Sequence, residues 1–301
     1  MTKQEEIKQL KAEQDAVILA HYYVDPQVQE LADYIGDSFY LSKIATKLEA
    51  STLVFAGVTF MGESAKILNP EKTVLMPDTT ADCPMAHMAA AGKIEKMREE
   101  YEDLAVVCYI NSSAALKTYA DVCVTSSNAV EIVRKLPNKN IFFIPDENLG
   151  SYVAKQVPEK NVILNDGYCY VHKEVNKEQV EEIKRCHPGV EFLVHPECTK
   201  EVLELADYVG STSGIIDHAT KSDKKEFIIG TENGVLYELQ RKNPDKKFYT
   251  LPGGQTCTSM KKITLEKVRD CLKYNKGEVS VDDSLRRKAN VPLNRMLETA
   301  K

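Results

Sequence analysis

The phrase ADYIGDS at residues 32–38 returns as ADVCVTS at 120–126 and as ADYVGST at 206–212. A chain that repeats itself at this interval is assembled from like units, and repetition restricts the architecture more than composition does. Anchored on Asp33, Asp121 and Asp207, the correspondence extends in both directions. Twelve residues upstream stand His21, Tyr109 and His195, each closing an apolar run (AVILAH, LAVVCY, EFLVH). Two positions further on come Tyr23, Asn111 and Glu197, and five past the anchors stand Ser38, Ser126 and Thr212. Each unit continues with TLVFAGVTFMGES, NIFFIPDENLGS or EFIIGTENGVL. It closes on EKTVLMPDTTADC, EKNVILNDGYC or DKKFYTLPGGQTC. The final residues are Cys83, Cys169 and Cys257, lying 50, 48 and 50 residues beyond their aspartates.

Each unit reads as strand, helix, short strand, helix, strand, helix, strand. The apolar runs are short and lack alternation, as parallel strands covered on both faces do. Helical patterns such as PQVQELADYI and SFYLSKIATKLEA separate them. The expected fold is therefore α/β: three pseudo-symmetric three-layer α/β/α repeats with short parallel sheets around a central metal site. Their expected extents are residues 16–87 (after an N-terminal helix, 1–15), 104–172 and 189–260. Connecting helices fill 88–103 and 173–188, and a helix and polar tail fill 261–301.

Composition narrows the function classes. The 301 residues are 43% apolar and 28% charged, ordinary values for a globular chain. A net charge of −6 speaks against nucleic acid or an anionic membrane as partner. The start, MTKQEEIKQLKAEQ, has no apolar leader segment, and no run approaches the ~18 apolar residues of a membrane span. Eight cysteines in such a chain point to reduced thiols or a metal, and to the cytoplasm. Walker-A, G-x-G-x-x-G and H-E-x-x-H patterns are all absent. GSTSG, at 210–214, imitates a nucleophile elbow but has Thr212 where the nucleophilic serine would be.

Open parallel sheets bind ligands beyond the carboxyl ends of their strands, and the repeated polar residues all fall at that edge. Three like units can turn those edges toward one centre. The closest cysteines, Cys186 and Cys198, are 12 residues apart, so no Cys-x-x-Cys knuckle exists. Cys83, Cys169 and Cys257 instead offer one sulfur from each repeat, a soft donor set for an iron–sulfur cluster or for zinc. Three thiolates on a cubane leave one iron open for a substrate heteroatom. Cys108 and Cys123 read as small core hydrophobes and Cys186 and Cys271 as incidental helix residues. Cys198, in HPEC, has no repeat partner. Ser38, Ser126 and Thr212 open turns into helices, where they can cap the helix or help hold an anion.

The motifs AHYY, GDS, FMGESAKILNP, PDTTADCPMA, YINSSA, VTSSNA, PDENLG, GYCYVH, HPEC, STSG, IGTENG and GGQTCTSM span about residues 18–262. With them the chain resembles the quinolinate synthase family of NAD biosynthesis. The resemblance implies a [4Fe–4S] cluster held by Cys83, Cys169 and Cys257. It also implies condensation of iminoaspartate with dihydroxyacetone phosphate to quinolinate, with loss of phosphate and two waters. Under that reading Glu197 is the general acid or base, and Tyr23 and Tyr109 donate or relay protons. His21 and His195 offer hydrogen bonds, and positive charge when protonated; His195 is thus both catalytic and substrate-binding. Ser38, Asn111, Ser126 and Thr212 position anionic groups, and Met61 lines the cavity. Coupling to an iminoaspartate-producing enzyme is expected. Some family members carry Cys-x-x-Cys-x-x-Cys at the last ligand; here Leu251 and Gly254 occupy the two extra places. The alternatives are another cluster-dependent hydro-lyase, a non-catalytic iron–sulfur sensor, and structural zinc with His172 as fourth ligand.

Overall fold

The computed structural model describes residues 2–300. Helix α1 (Lys3–Glu13) opens on a capping box formed by Thr2 and Glu5. The first unit follows as β1 (Ala16–His21), α2 (Pro26–Leu31), β2 (Tyr34–Gly36), α3 (Ser38–Ala45), β3 (Thr52–Ala56), α4 (Thr59–Leu68) and β4 (Thr73–Leu75). Helix α5 (Ala91–Glu100) leads into β5 (Leu104–Tyr109), α6 (Ala114–Lys117), β6 (Val122–Val124), α7 (Ala129–Lys135), β7 (Asn140–Ile144), α8 (Glu147–Gln156) and β8 (Asn161–Leu164). After α9 (Tyr170–Lys173) and α10 (Lys177–Cys186) come β9 (Glu191–Val194), α11 (Lys200–Leu203), β10 (Tyr208–Val209), α12 (Thr212–Lys221), β11 (Glu226–Gly230), α13 (Val235–Lys242) and β12 (Lys247–Thr250). Helices α14 (Leu265–Tyr274) and α15 (Asp283–Thr299) end the chain.

The three sheets share one topology: β2-β1-β3-β4, β6-β5-β7-β8 and β10-β9-β11-β12, all parallel. This is the α/β architecture of three repeats that the motifs predict. In each sheet the chain order reverses between the first and third strands, the place where open α/β sheets offer a crevice.

The repeated phrase has a mechanical explanation. The carboxylates of Asp33, Asp121 and Asp207 accept the N–H groups of Ile18, Val106 and Phe192 at 2.8, 2.7 and 2.8 Å. Each aspartate's own N–H donates to the carbonyl of the same residue, at 2.9, 2.9 and 3.0 Å. A cation covers each carboxylate: Lys11, Arg98 and Lys184. The second strand is thereby tied to the first at one register in all three sheets. A second triple is lysine. Lys72, Lys160 and Lys246 each reach back to carbonyls at the C-terminal end of the last helix but one, α3, α7 and α12 respectively.

Both faces of the strands are buried. In β11, Phe227 and Ile229 pack under α12 and α13, while Ile228 joins Val180, Phe192 and Val194 on the other face. The cores of the first two repeats merge into one cluster with Val268, Leu272, Leu293 and Met296 from α14 and α15. The C-terminus is thus not the expected tail: α15 buries Ala289, Pro292, Leu293 and Met296 on one stripe against α4, α6 and β6. Before it, Gly277 takes φ +79° with its Cα so close to the Met76 carbonyl that a Cβ would lie 2.0 Å from the oxygen. That approach lets residues 277–279 pair with the edge strand β4. Among the described residues no helix is long and apolar enough to cross a membrane.

Candidate active site

The strand ends of the three sheets converge on one partly enclosed cavity of ≈ 70 Å³. Its wall brings together His21, Tyr23, Ser38, Tyr109, Asn111 and Ser126 with His195, Glu197, Thr212 and the three cysteines. Met61 is not on that wall. The turn of α4 sends it into the core at 3% exposure and presents Phe60 to the cavity instead.

Ser38 and Thr212 are the first residues of α3 and α12, and their neighbours do the capping. Asp37 accepts the Tyr40 N–H and Ser211 accepts the Gly214 N–H. Both site hydroxyls are thus free of the capping duty, at helix N-termini that favour an anion. In the second repeat, Asn128 takes the Thr125 N–H, while the hydroxyl of Ser126 meets His195 Nε2 at 3.2 Å.

His21 and His195 occupy equivalent places with the same local bond. The N–H of Tyr23 donates to His21 Nδ1 at 3.2 Å, and that of Glu197 to His195 Nδ1 at 3.3 Å. An Nδ1 that accepts carries no proton, so each ring holds its hydrogen on Nε2. Burial pushes both imidazoles down to about 3, so they are neutral donors rather than sources of positive charge.

His172 belongs to the site although it has no repeat partner. Its Nδ1 lies 2.7 Å from Glu197 Oε2 and its Nε2 lies 2.9 Å from Thr231 Oγ1. Thr231 Oγ1 is 2.8 Å from the Tyr23 hydroxyl, which is in turn 2.7 Å from Thr212 Oγ1. A carboxylate only accepts, so Nδ1 holds the His172 hydrogen and Nε2 accepts from Thr231. The result is a continuous chain from Glu197 through His172 and Thr231 to Tyr23. Burial alone would lift the Glu197 carboxyl. Flanking His195 and His172, with the His172 hydrogen bond and the approach of Tyr109, hold it below the usual carboxylate range. Its Oε1 has no partner in the protein. Tyr23 and Tyr109 are both pushed well above the usual phenol range by burial and by the Glu197 charge. Thr231 directly follows β11, at a strand-end position taken by Gly57 and Pro145 in the other repeats. That position is the only signal that marked it.

All eight cysteines are free thiols, and those at 83, 169 and 257 line the cavity together. Burial drives Cys83 up to about 12, assisted by Cys257 and Glu197, and lifts Cys169 and Cys257 too. All three thiols lie on the wall of the same cavity. Desolvated thiols in such a group give up their protons to a metal. Cys169, His172 and Glu197 also lie within 4.8 Å of one another as a possible metal set. Both His172 nitrogens already have partners within the protein. Cys198 is buried, its thiol directed to the Gly230 carbonyl at 3.7 Å, and it is not on the cavity wall.

Residues 5–298 match the family described as Quinolinate synthetase A protein. The chain belongs to that family. It is 58% identical to the quinolinate synthase of Fusobacterium nucleatum subsp. nucleatum over 98% of both chains. It is 54% identical to that of Caldicellulosiruptor bescii over 97% of both. With the quinolinate synthase of Clostridioides difficile it shares 52% over 98% of this chain and 96% of the other. Quinolinate synthesis in NAD biosynthesis is accordingly the activity of this chain.

Proposed function

We propose that the cavity condenses iminoaspartate with dihydroxyacetone phosphate, releasing phosphate and two waters as the pyridine ring closes. Cys83, Cys169 and Cys257 would hold a [4Fe–4S] cluster with one iron free of protein ligands. When bound, it would supply Lewis acidity toward a substrate oxygen or nitrogen. The observation that carries this reading is the convergence of three equivalent cysteines and a proton relay on one partly enclosed cavity.

The protein's own share is positioning and proton transfer. Tyr23 is too high in pKa to ionise unaided. Along the chain its proton passes to Thr231 as Thr231 gives its own to His172 Nε2, and Glu197 stabilises the imidazolium that forms. This is the logic of a hydroxyl–imidazole–carboxylate triad extended by one phenol. Run forward it removes a proton from carbon or from a substrate hydroxyl at Tyr23. Run backward it returns one to a leaving hydroxyl. Tyr109, beside Glu197, serves as a second donor. His21 contributes a fixed Nε2–H bond to carboxylate or phosphate oxygens, and His195, whose Nε2–H meets Ser126 Oγ, orients that hydroxyl toward the same groups. Ser38, Asn111, Ser126 and Thr212 orient the same anionic groups, and Met61 packs in the core rather than on this wall. Partial enclosure limits water at the hydrolysable imine.

Such an imine calls for rapid delivery, so an iminoaspartate-producing enzyme is the expected functional partner. The free thiols accord with a reducing cytoplasm. Anaerobic protein supplied with enzymatically generated iminoaspartate and dihydroxyacetone phosphate should form a pyridine dicarboxylate. A full metal complement with no such product would reject the reading in favour of a sensor or a different hydro-lyase.

A further inference from the structure

The loops that carry the three cysteines start from one backbone pattern. The N–H of Thr59, Glu147 and Asn233 donates to the carbonyl of Ala81, Gly167 and Gln255, each two residues before its cysteine. Positions 58, 146 and 232 are therefore equivalent. Two of them are fully buried carboxylates that neither the relay nor the substrate contacts use.

Asp146 Oδ2 accepts the Cys169 N–H at 3.2 Å, while Oδ1 accepts the Leu149 N–H at 2.6 Å. Glu232 Oε1 accepts the Cys257 N–H at 3.1 Å, and Oε2 accepts that of Gly234 at 2.6 Å. In the first repeat the equivalent residue is Val58, and the N–H of Cys83 goes to Asp82 Oδ1 at 2.9 Å instead. Every site cysteine thus has its backbone N–H held by a carboxylate. One of the three carboxylates reached that role from a different place in the chain.

Burying a carboxylate is costly unless its oxygens are satisfied, and here one oxygen fixes the local backbone, as Asp146 does in capping α8, while the other holds the cysteine amide. Glu232 also meets Lys261 Nζ at 3.2 Å, and Lys261 donates to the Tyr23 carbonyl at 2.7 Å. The same group therefore links the Cys257 loop to the turn bearing Tyr23.

We infer that Asp146 and Glu232 are positioning residues for the metal-holding loops, with Asp82 doing the same for Cys83. The inference rests on the three-cysteine reading above and adds an outer layer to it. Partners of this kind typically change metal retention about 10–100-fold when lost. Their charge also bears on the electronics of a sulfur-ligated cluster.

The test uses anaerobically loaded full-length protein and two readouts: the rate of iron loss to a ferrous chelator and the midpoint potential of the bound metal. Asp146→Ala and Glu232→Ala should lose iron about tenfold faster or more. Asp146→Asn and Glu232→Gln keep an oxygen acceptor and should restore the slow rate. Glu232→Gln, which removes a negative charge, should still shift the potential upward. Glu204→Ala, at an exposed surface pair remote from the three loops, should match the unaltered protein in both. If the alanine variants do not fold, the amide variants decide through the potential. Iron loss at the unaltered rate in the alanine variants, or an unmoved potential in Glu232→Gln, overturns the inference. Unaltered protein that holds no iron would instead overturn the three-cysteine reading beneath it.

Discussion

Thr231 is the residue on which the proton chain turns, because its hydroxyl alone joins Tyr23 to His172. Thr231→Val keeps the shape and removes that oxygen. kcat should fall by about 10²-fold or more, the usual worth of a positioned acid–base path. Thr231→Ser should recover most of it, as steady-state rates on the two variants would establish. The neutral histidines give a second outcome. Folding lowers His21 and His195 from 6.5 to about 3, so the unfolded chain binds protons there that the folded one refuses. Their stabilising contribution is complete above pH 6.5 and is lost as the pH falls toward 3. The urea midpoint should therefore drop between pH 7 and 4.5, and drop less in the His21→Gln/His195→Gln double variant. Equal slopes would show that neither ring is held neutral. Repeat logic located these two histidines and the cysteines because equivalent backbones reuse the same side chain. It could not locate His172 or Thr231, which occur in single repeats and meet only across the centre. Phe60 and Met61 were likewise indistinguishable until α4 set which of them faced inward.

At the level of elements, the three aspartates explain why the phrase survives in each unit. A short edge strand of two or three residues makes few ladder bonds, so a side chain that takes up a neighbouring strand's N–H is a large part of its attachment. Asp33→Ala, Asp121→Ala and Asp207→Ala should each cost about 1–2 kcal/mol in urea unfolding. The costs should be similar and kcat little changed, since none of the three lines the cavity. A loss confined to one repeat would mean the equivalence is only formal. The alternation of parallel strands with helices, too, was readable from apolar runs and their spacing, because buried parallel strands leave few other patterns; the order of strands within each sheet came only with the structure. Helix α15 was not. Its apolar stripe at 289, 292, 293 and 296 is preceded by the charged SLRRK and includes a proline that reads as a helix breaker, so its burial emerges only once α4 and α6 are in place.

Across the whole molecule, three sheets of one topology turn their carboxyl edges inward, and the chemistry collects where they meet. Each repeat supplies a sulfur, but the contributions are otherwise unequal. Glu197, Thr212 and Thr231 come from the third repeat, Tyr23 and His21 from the first, and Tyr109, Asn111 and Ser126 from the second. His172 comes from the segment just after the second repeat's cysteine. On the proposed reading, tripling gives a frame, and the differences among the copies give the reaction its acid, base and binding groups. The most direct test is iron and acid-labile sulfide analysis of protein purified without oxygen, unaltered and as Cys83→Ala, Cys169→Ala, Cys257→Ala and Cys186→Ala. The account predicts about four of each per chain in the unaltered and Cys186→Ala forms and a collapse of both in the other three. Stoichiometric zinc without sulfide, or full iron retention after losing any of the three cavity cysteines, would contradict it.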